Sequence, residues 1–301
     1  MLFRRIVTAT ACAMLILIAG AAPASATRPV RQPLPPERPM TAEEQAASKL
    51  KIAAAERYVA SPEARASVRT TLACITPESA PTGGQVGTTS AAGSGATTQA
   101  GCTTPSGFLP VSARDQINGF YCGPAVGQVI ANYAWAVGAN VNRYAQKTIA
   151  GWMQTDVFGG TSVYSMEAGL ERATRDAPRR PAGWDWVVSP LQDTDRDGAV
   201  SDQLHSYVRS NVSGSRMPLA LSVKPHDPNG RFHLSSWPVP VASVGHWISA
   251  YGWWGLYDGT DFARLYYTDS SEDEGGGTGT FWDPIRHIGG MIRDHTQRFV
   301  W

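Results

Sequence analysis

The feature that most constrains this chain is an abrupt change in composition near residue 107. Residues 76–106, TPESAPTGGQVGTTSAAGSGATTQAGCTTPS, hold almost nothing that a core could bury, whereas all ten tryptophans lie at or beyond Trp135. A tract of Gly, Ser, Thr and Ala has too little apolar surface to offset the entropy of ordering it, so 76–106 is expected to be a flexible linker. Residues 107–301 are long enough for one sizeable core and read as a single domain.

Two signals lie upstream of the linker. Arg4 and Arg5 precede a mostly apolar run, 6–22, and Ala24, Ser25 and Ala26 fit a small-residue cleavage site. That order is the order of a signal peptide, so residues 1–26 are expected to be removed and the protein secreted, extracellular. A transmembrane anchor is the rival reading, but the run is short and polar, Pro-rich sequence follows at once. No later segment is apolar and long enough to span a bilayer, so no stable membrane association is expected after signal removal. Residues 27–75 are expected to form a partly helical arm or pro-segment. Thr41, with Glu44 three residues on, makes a capping box ahead of EEQAASKLKIAAAERYVA, which is dense in strong helix formers. A second short helix is expected over 62–72. The apolar stripe of this arm (Leu50, Ile52, Tyr58, Val59) is too thin for a core of its own, and the arm is a candidate to cover a groove until cleaved.

Charge and cysteines narrow the chemistry. The formal net charge is +1, so no basic face for nucleic acid is implied. Signal removal would take Cys12 and leave Cys74, Cys102 and Cys122, an odd number in an oxidising compartment. Cys74 and Cys102 flank the flexible stretch and can close a loop on each other, which leaves Cys122 over. The alternatives are three separate thiols, or one of the first two lost with a pro-segment.

Within 107–301 the patterns are mixed. Val126, Val129, Ile130, Tyr133 and Val137 recur at helical spacing, and further helices are expected over 162–175 and 200–212. MPLALSV (217–223), VGHWISAYGWW (244–254) and ARLYYTD (263–269) read as strands, rich in β-branched and aromatic residues between turn formers. Helices come first and strands later, which indicates an α+β fold.

Residues 119–133 read GFYCGPAVGQVIANY, a cysteine where an apolar helical pattern begins. Proline is favoured in the first helical turn, so Cys-Gly-Pro sets Cys122 at or next to a helix N-terminus. Unpaired N–H groups and the positive end of the helix dipole stabilise a thiolate there. A buried structural thiol is the bland reading of the same residue. Attack by a thiolate on a carbonyl makes an oxyanion, which needs donors about 3 Å away. Gln116, six residues earlier, can supply one and the Cys122 N–H another, although a solvated loop glutamine is the commoner case.

Gln116, five residues, then Cys122-Gly123-Pro124-Ala125 opening an apolar helix resembles the papain-like cysteine peptidases, most of all the bacteriocin-processing, double-glycine leader peptidase branch. That branch continues with a Gly-His on a strand and an Asn/Asp-Pro at the end of the next. Gly245-His246 and Asp269 stand here in that order. The resemblance covers roughly 108–285. It implies a papain-like fold, with N-terminal helices packed on a C-terminal antiparallel sheet, and a Cys-His-Asp triad of Cys122, His246 and Asp269 with Gln116 as oxyanion donor. Tyr121 replaces the usual Asp before the cysteine, and Ser270 the usual Pro after the third residue. Imidazole suits the base because it exchanges its proton near neutral pH. Strand alternation sets His246 on the face of Ile248 and Ala250, which is also how a core histidine looks. His205 reads as a helix-surface residue, and His226, His233, His287 and His295 lack the glycine-led context. Asp269 is favoured to orient the imidazole over Asp258, Asp261 and Asp283.

Other features weigh less. DTDRDGAVSDQL (193–204) matches the first half of a calcium loop, but Leu204 stands where a bidentate Glu belongs. EDEGGGTGT (272–280) is a lid or, more often, a long hairpin connection. Trp247, Trp253 and Trp254 can line a groove, though aromatic strands are usually core. No cofactor is implied, because there is neither a phosphate-cradling glycine loop nor a Cys/His cluster at zinc spacing. The expected function is that of a secreted cysteine peptidase-like hydrolase with a peptide or protein substrate. The alternatives are transglutaminase-like acyl transfer and a non-catalytic secreted binding domain.

Overall fold

Helix α1 (Ala42–Val59) begins where the capping box sets it: Glu44 N–H donates to the Thr41 hydroxyl, and Thr41 N–H donates back to the Glu44 carboxylate at 2.7 Å. The computed structural model describes residues 37–62, 64, 105–191, 199–226, 232–238, 244–256, 262–271 and 276–301. The signal segment, Cys12, Cys74, Cys102, most of the second arm helix, the linker to residue 104, the calcium-like run 193–198, and Asp258 and Asp261 lie outside these residues.

The apolar stripe of α1 is as thin as the sequence implies, and the helix borrows the core of the main unit. Ser48 bonds to Ser189 at 2.8 Å, and the Lys51 ammonium sits 3.8 Å over the Trp184 ring while donating to the Asp185 carbonyl at 2.7 Å. Lys51 also donates to the Trp301 carbonyl, so α1 is seated where the chain's last strand ends.

The elements after the linker are β1 (Ser106–Phe108), α2 (Cys122–Ala134), α3 (Gln146–Trp152), α4 (Val163–Thr174), β2 (Val188–Pro190), α5 (Ala199–Arg209), β3 (Leu219–Val223), β4 (His246–Trp254), β5 (Arg264–Ser270), β6 (Thr278–Pro284), α6 (Ile285–Arg293) and β7 (Arg298–Val300). This is a mixed helix and antiparallel-sheet fold. The strands form one sheet in the order β2-β7-β3-β4-β5-β6, with β1 added to the far half of β4. β1 corrects the linker boundary: Pro105 accepts from Gly255 N–H at 2.9 Å and Ser106 pairs with Trp254, so the sheet starts inside the stretch read as linker.

Every residue of α2 is buried, because α3 and α4 cover one side of it and the sheet the other. Two glycines make the close helix packing possible. A Cβ on Gly169 of α4 would lie 2.2 Å from Met153 Cγ, and one on Gly127 of α2 would lie 2.6 Å from the mobile end of the same side chain, Cε. Gly169→Ala should therefore cost about 1–3 kcal/mol through overpacking, against at most about 1 kcal/mol gained in helix propensity. A urea melt as stable as the parent's would show that Met153 can move aside.

Candidate active site

Cys122 is the first residue of α2, preceded by Tyr121, whose side chain makes no capping bond. The first backbone bond of the helix runs from Ala125 N–H to the Tyr121 carbonyl at 2.9 Å. Pro124 has no N–H to give, and the Cys122 and Gly123 N–H groups belong to the first turn, whose donors have no acceptor within the helix. Gly123 is needed for packing: a Cβ there would lie 2.3 Å from Thr161 Oγ1. Thr161 is held by Thr155 Oγ1 at 2.7 Å and by the Trp247 indole N–H, which donates to its carbonyl at 2.9 Å. Trp247, weighed as a groove residue, is thus a buried strut under the turn that faces the helix start.

The Cys122 sulfur is in no disulfide, buried and hydrogen-bonded to the His246 ring. His246 opens β4, and its Nε2 lies 2.7 Å from Asp269 Oδ1 on β5, which leaves Nδ1 for the thiol. The register explains the meeting. Ser249 pairs with Thr268, so Asp269 lies one step further on the face shared by Ile248 and His246, and a diagonal pair on one face is in reach. Both residues are almost fully buried, at 3% and 1% exposure.

Asp269 is the most heavily bonded carboxylate of the described residues. Oδ2 accepts from Ser236 Oγ at 2.7 Å and from the Trp237 indole at 3.0 Å, while Oδ1 accepts from the backbone N–H groups of Ser270 at 2.6 Å and Ser271 at 3.1 Å besides His246. The departure at Ser270 thus has a use, since a proline there would have no N–H to give. Burial works to raise the Asp269 pKa, but the His246 charge and the donors outweigh it and hold it below its usual range. At His246 burial works to lower the value, and the Asp269 charge, its hydrogen bond and Cys122 outweigh that and raise it to about 10.

Gln116 sits in the loop between β1 and α2. Its backbone N–H donates to the Ser270 carbonyl at 2.9 Å, one residue beyond Asp269. Its Oε1 is buried and has no hydrogen-bond partner among the described residues. The structure therefore brings Cys122, His246 and Asp269 into direct contact and ties the Gln116 backbone to the same strand end.

Rival residues are placed elsewhere. Asp283, on β6, accepts from Tyr267 Oη at 2.7 Å and from Ser235, and burial against these donors raises its pKa to about 6. His205 corrects the helix-surface reading: it is buried, its Nε2 lies 3.1 Å from the Gly255 carbonyl, and burial with Arg209 nearby lowers its pKa to about 3. His226 and His233 stack on each other, and His287 packs against Phe232. Trp253 is buried core and Trp254 is half-buried against Phe262. Among the described residues no cluster of three or more His, Cys, Asp or Glu could hold a metal, and no helix is long and apolar enough to cross a membrane. Sequence reasoning missed Ser236 and Trp237. They lie in a Pro-rich stretch without periodicity, and the Trp237 ring also packs 5.0 Å from the His246 ring.

No family model and no curated protein matches the chain. A solved structure similar to it is recombinant stem bromelain precursor, a papain-like cysteine peptidase, at 12% identity and a TM-score of 0.36. The likeness covers 63% of this chain and 65% of that one, so the chain spans just under two thirds of its length.

Proposed function

We propose that this chain is a secreted cysteine peptidase-like hydrolase of papain-like fold that cleaves a peptide or amide bond. The observation that supports this best is the buried relay Cys122–His246–Asp269 with its thiol at the first residue of a helix. In this reading the raised His246 pKa favours a resting pair in which the thiol proton already sits on Nδ1. The thiolate attacks the substrate carbonyl carbon, and the carbonyl π electrons move onto oxygen. The Cys122 N–H and the Gln116 side-chain amide hold that oxyanion. As the tetrahedral species collapses, the C–N bond breaks and the amine leaves with the imidazolium proton. Water then gives a proton to His246 and attacks the thioester carbon, the C–S bond breaks, and the acid leaves with the thiolate–imidazolium pair restored. Asp269 keeps the imidazole in one orientation throughout, and Ser236 and Trp237 keep Asp269 in place.

The reading is tested with iodoacetamide and a proteome-derived peptide library. One equivalent of label on Cys122 should abolish cleavage, and acid quenching during turnover should trap an acyl group on the same residue. Cleavage that survives complete labelling would overturn the assignment. An added primary amine separates hydrolysis from acyl transfer: products that are free acids support a hydrolase, and amide products from most turnovers would replace it with a transferase.

A further inference from the structure

We infer that Gln146 is a positioning residue for the oxyanion site: its side-chain amide fixes the two peptide groups that flank Gln116. The inference rests on the peptidase reading above, but the geometry behind it is independent of the triad. Gln146 opens α3 and is only 5% exposed. Its Nε2 donates to the Asp115 carbonyl at 2.6 Å, and its Oε1 accepts from Ile117 N–H at 3.1 Å. One planar amide thus grips the residue before Gln116 and the residue after it, in the manner of a neighbouring strand. The second Nε2 proton goes to Gln128 Oε1 on α2 at 3.2 Å, and Gln128 in turn donates to the Tyr144 carbonyl at 2.7 Å. The clamp is therefore itself anchored to the helix that carries Cys122.

The loop needs such a clamp. Residues 109–121 lie between β1 and α2 in no helix or strand; Leu109 is core, but Asp115 is exposed and Ile117 is 65% exposed, so burial does little to hold the residues flanking Gln116. The Gln116 N–H bond to the Ser270 carbonyl holds it on the other side. Between them, Gln146 and Ser270 restrain three consecutive residues while the Gln116 Oε1 makes no bond among the described residues. An oxyanion donor acts only within about 2.7–3.1 Å of the developing charge, and a shift of about 1 Å can cost on the order of 10²-fold in rate. A planar amide, with its acceptor and its donor side by side, suits this position. It must accept from one flanking group and donate to the other, which neither a carboxylate nor an apolar side chain can do.

The test uses Gln146→Leu, Gln116→Ala and the double variant of the full chain, with peptide cleavage and iodoacetamide labelling as separate readouts. Alkylation displaces iodide at a saturated carbon and forms no oxyanion, so it reports the thiolate alone. Gln146→Leu should lower kcat by about 10–10²-fold with a smaller change in KM, and leave the labelling rate of Cys122 unchanged. The double variant should be no slower than Gln116→Ala alone. Losses that multiply in the double variant, or a labelling rate that falls with kcat, would overturn the role of Gln146 and leave the peptidase reading standing. Slow labelling and no cleavage in the parent would instead remove the peptidase reading. Amide exchange on the parent covers the case in which Gln146→Leu does not fold: Ile117 N–H should exchange at least tenfold more slowly than an open loop amide, and exchange at the open rate would sink the clamp.

Discussion

A Cys122→Ala protein is expected to cleave no member of the peptide library, a loss on the order of 10⁶-fold in kcat, while folding as the parent does. Cys122 forms no disulfide, so the change removes one buried sulfur and no covalent tie. The small cavity and the lost bond to His246 should cost about 1 kcal/mol. The size of the kinetic loss comes from how the residues act together. Without a nucleophile, the raised pKa of His246 and the oxyanion donors have no covalent step to serve, so the unit fails as a whole. Residual cleavage within about a hundredfold of the parent would mean that the chemistry is elsewhere.

Replacing Asp269 by alanine should damage both stability and catalysis, and the first effect distinguishes this site from an ordinary surface pair. Five donors converge on the carboxylate: the His246 ring, the Ser236 hydroxyl, the Trp237 indole and two backbone N–H groups. Removing it takes the shared acceptor from all five at a buried site, which should cost about 3–5 kcal/mol in a urea melt at pH 6. The pH dependence has a definite sign on each side. The Asp269 pKa is lowered on folding, so its contribution is present above the unfolded value of 3.8 and is lost as pH falls through the lower folded value. The His246 pKa is raised, so its contribution is complete below 6.5 and is lost as pH rises through about 10. The stability gap between parent and variant should therefore be widest between about pH 4 and 6.5 and narrow towards pH 10. The alkaline limb of activity should move down in the variant as His246 returns towards its ordinary range. A gap that stays constant across this span would show that His246 and Asp269 are not an ion pair.

The parts of the fold that were legible in the sequence are those set by local or alternating patterns. Thr41 and Glu44 mark a helix start because both capping bonds form within four residues. The strands at 219–223 and 246–254 fall within the apolar runs read for them, and that at 264–270 runs one residue past its own. Three-residue strands such as Val188–Pro190 and Arg298–Val300 are too short to show a period, and they exist because they pair with each other across the chain. Thr278–Thr280 looked like part of a glycine-rich connection, yet these residues continue β6 because β5 presents a paired edge to them.

The same division runs through the site. Sequence alone determined that a thiol stands at a helix start with a glutamine six residues before it, since Pro124 and the apolar spacing that follows act locally. It also determined the face on which His246 lies, because alternation is a property of one strand. Only the tertiary structure decided which carboxylate meets that histidine: the register of β4 on β5 sets Asp269 diagonal to His246 and leaves Asp283 to Tyr267. It also buried His205, brought Ser236 and Trp237 over Asp269, and closed Gln146 around the Gln116 loop. Those contacts join residues 16 to 50 positions apart or through a register, and no pattern in one segment encodes the position of another until both are packed on the same core.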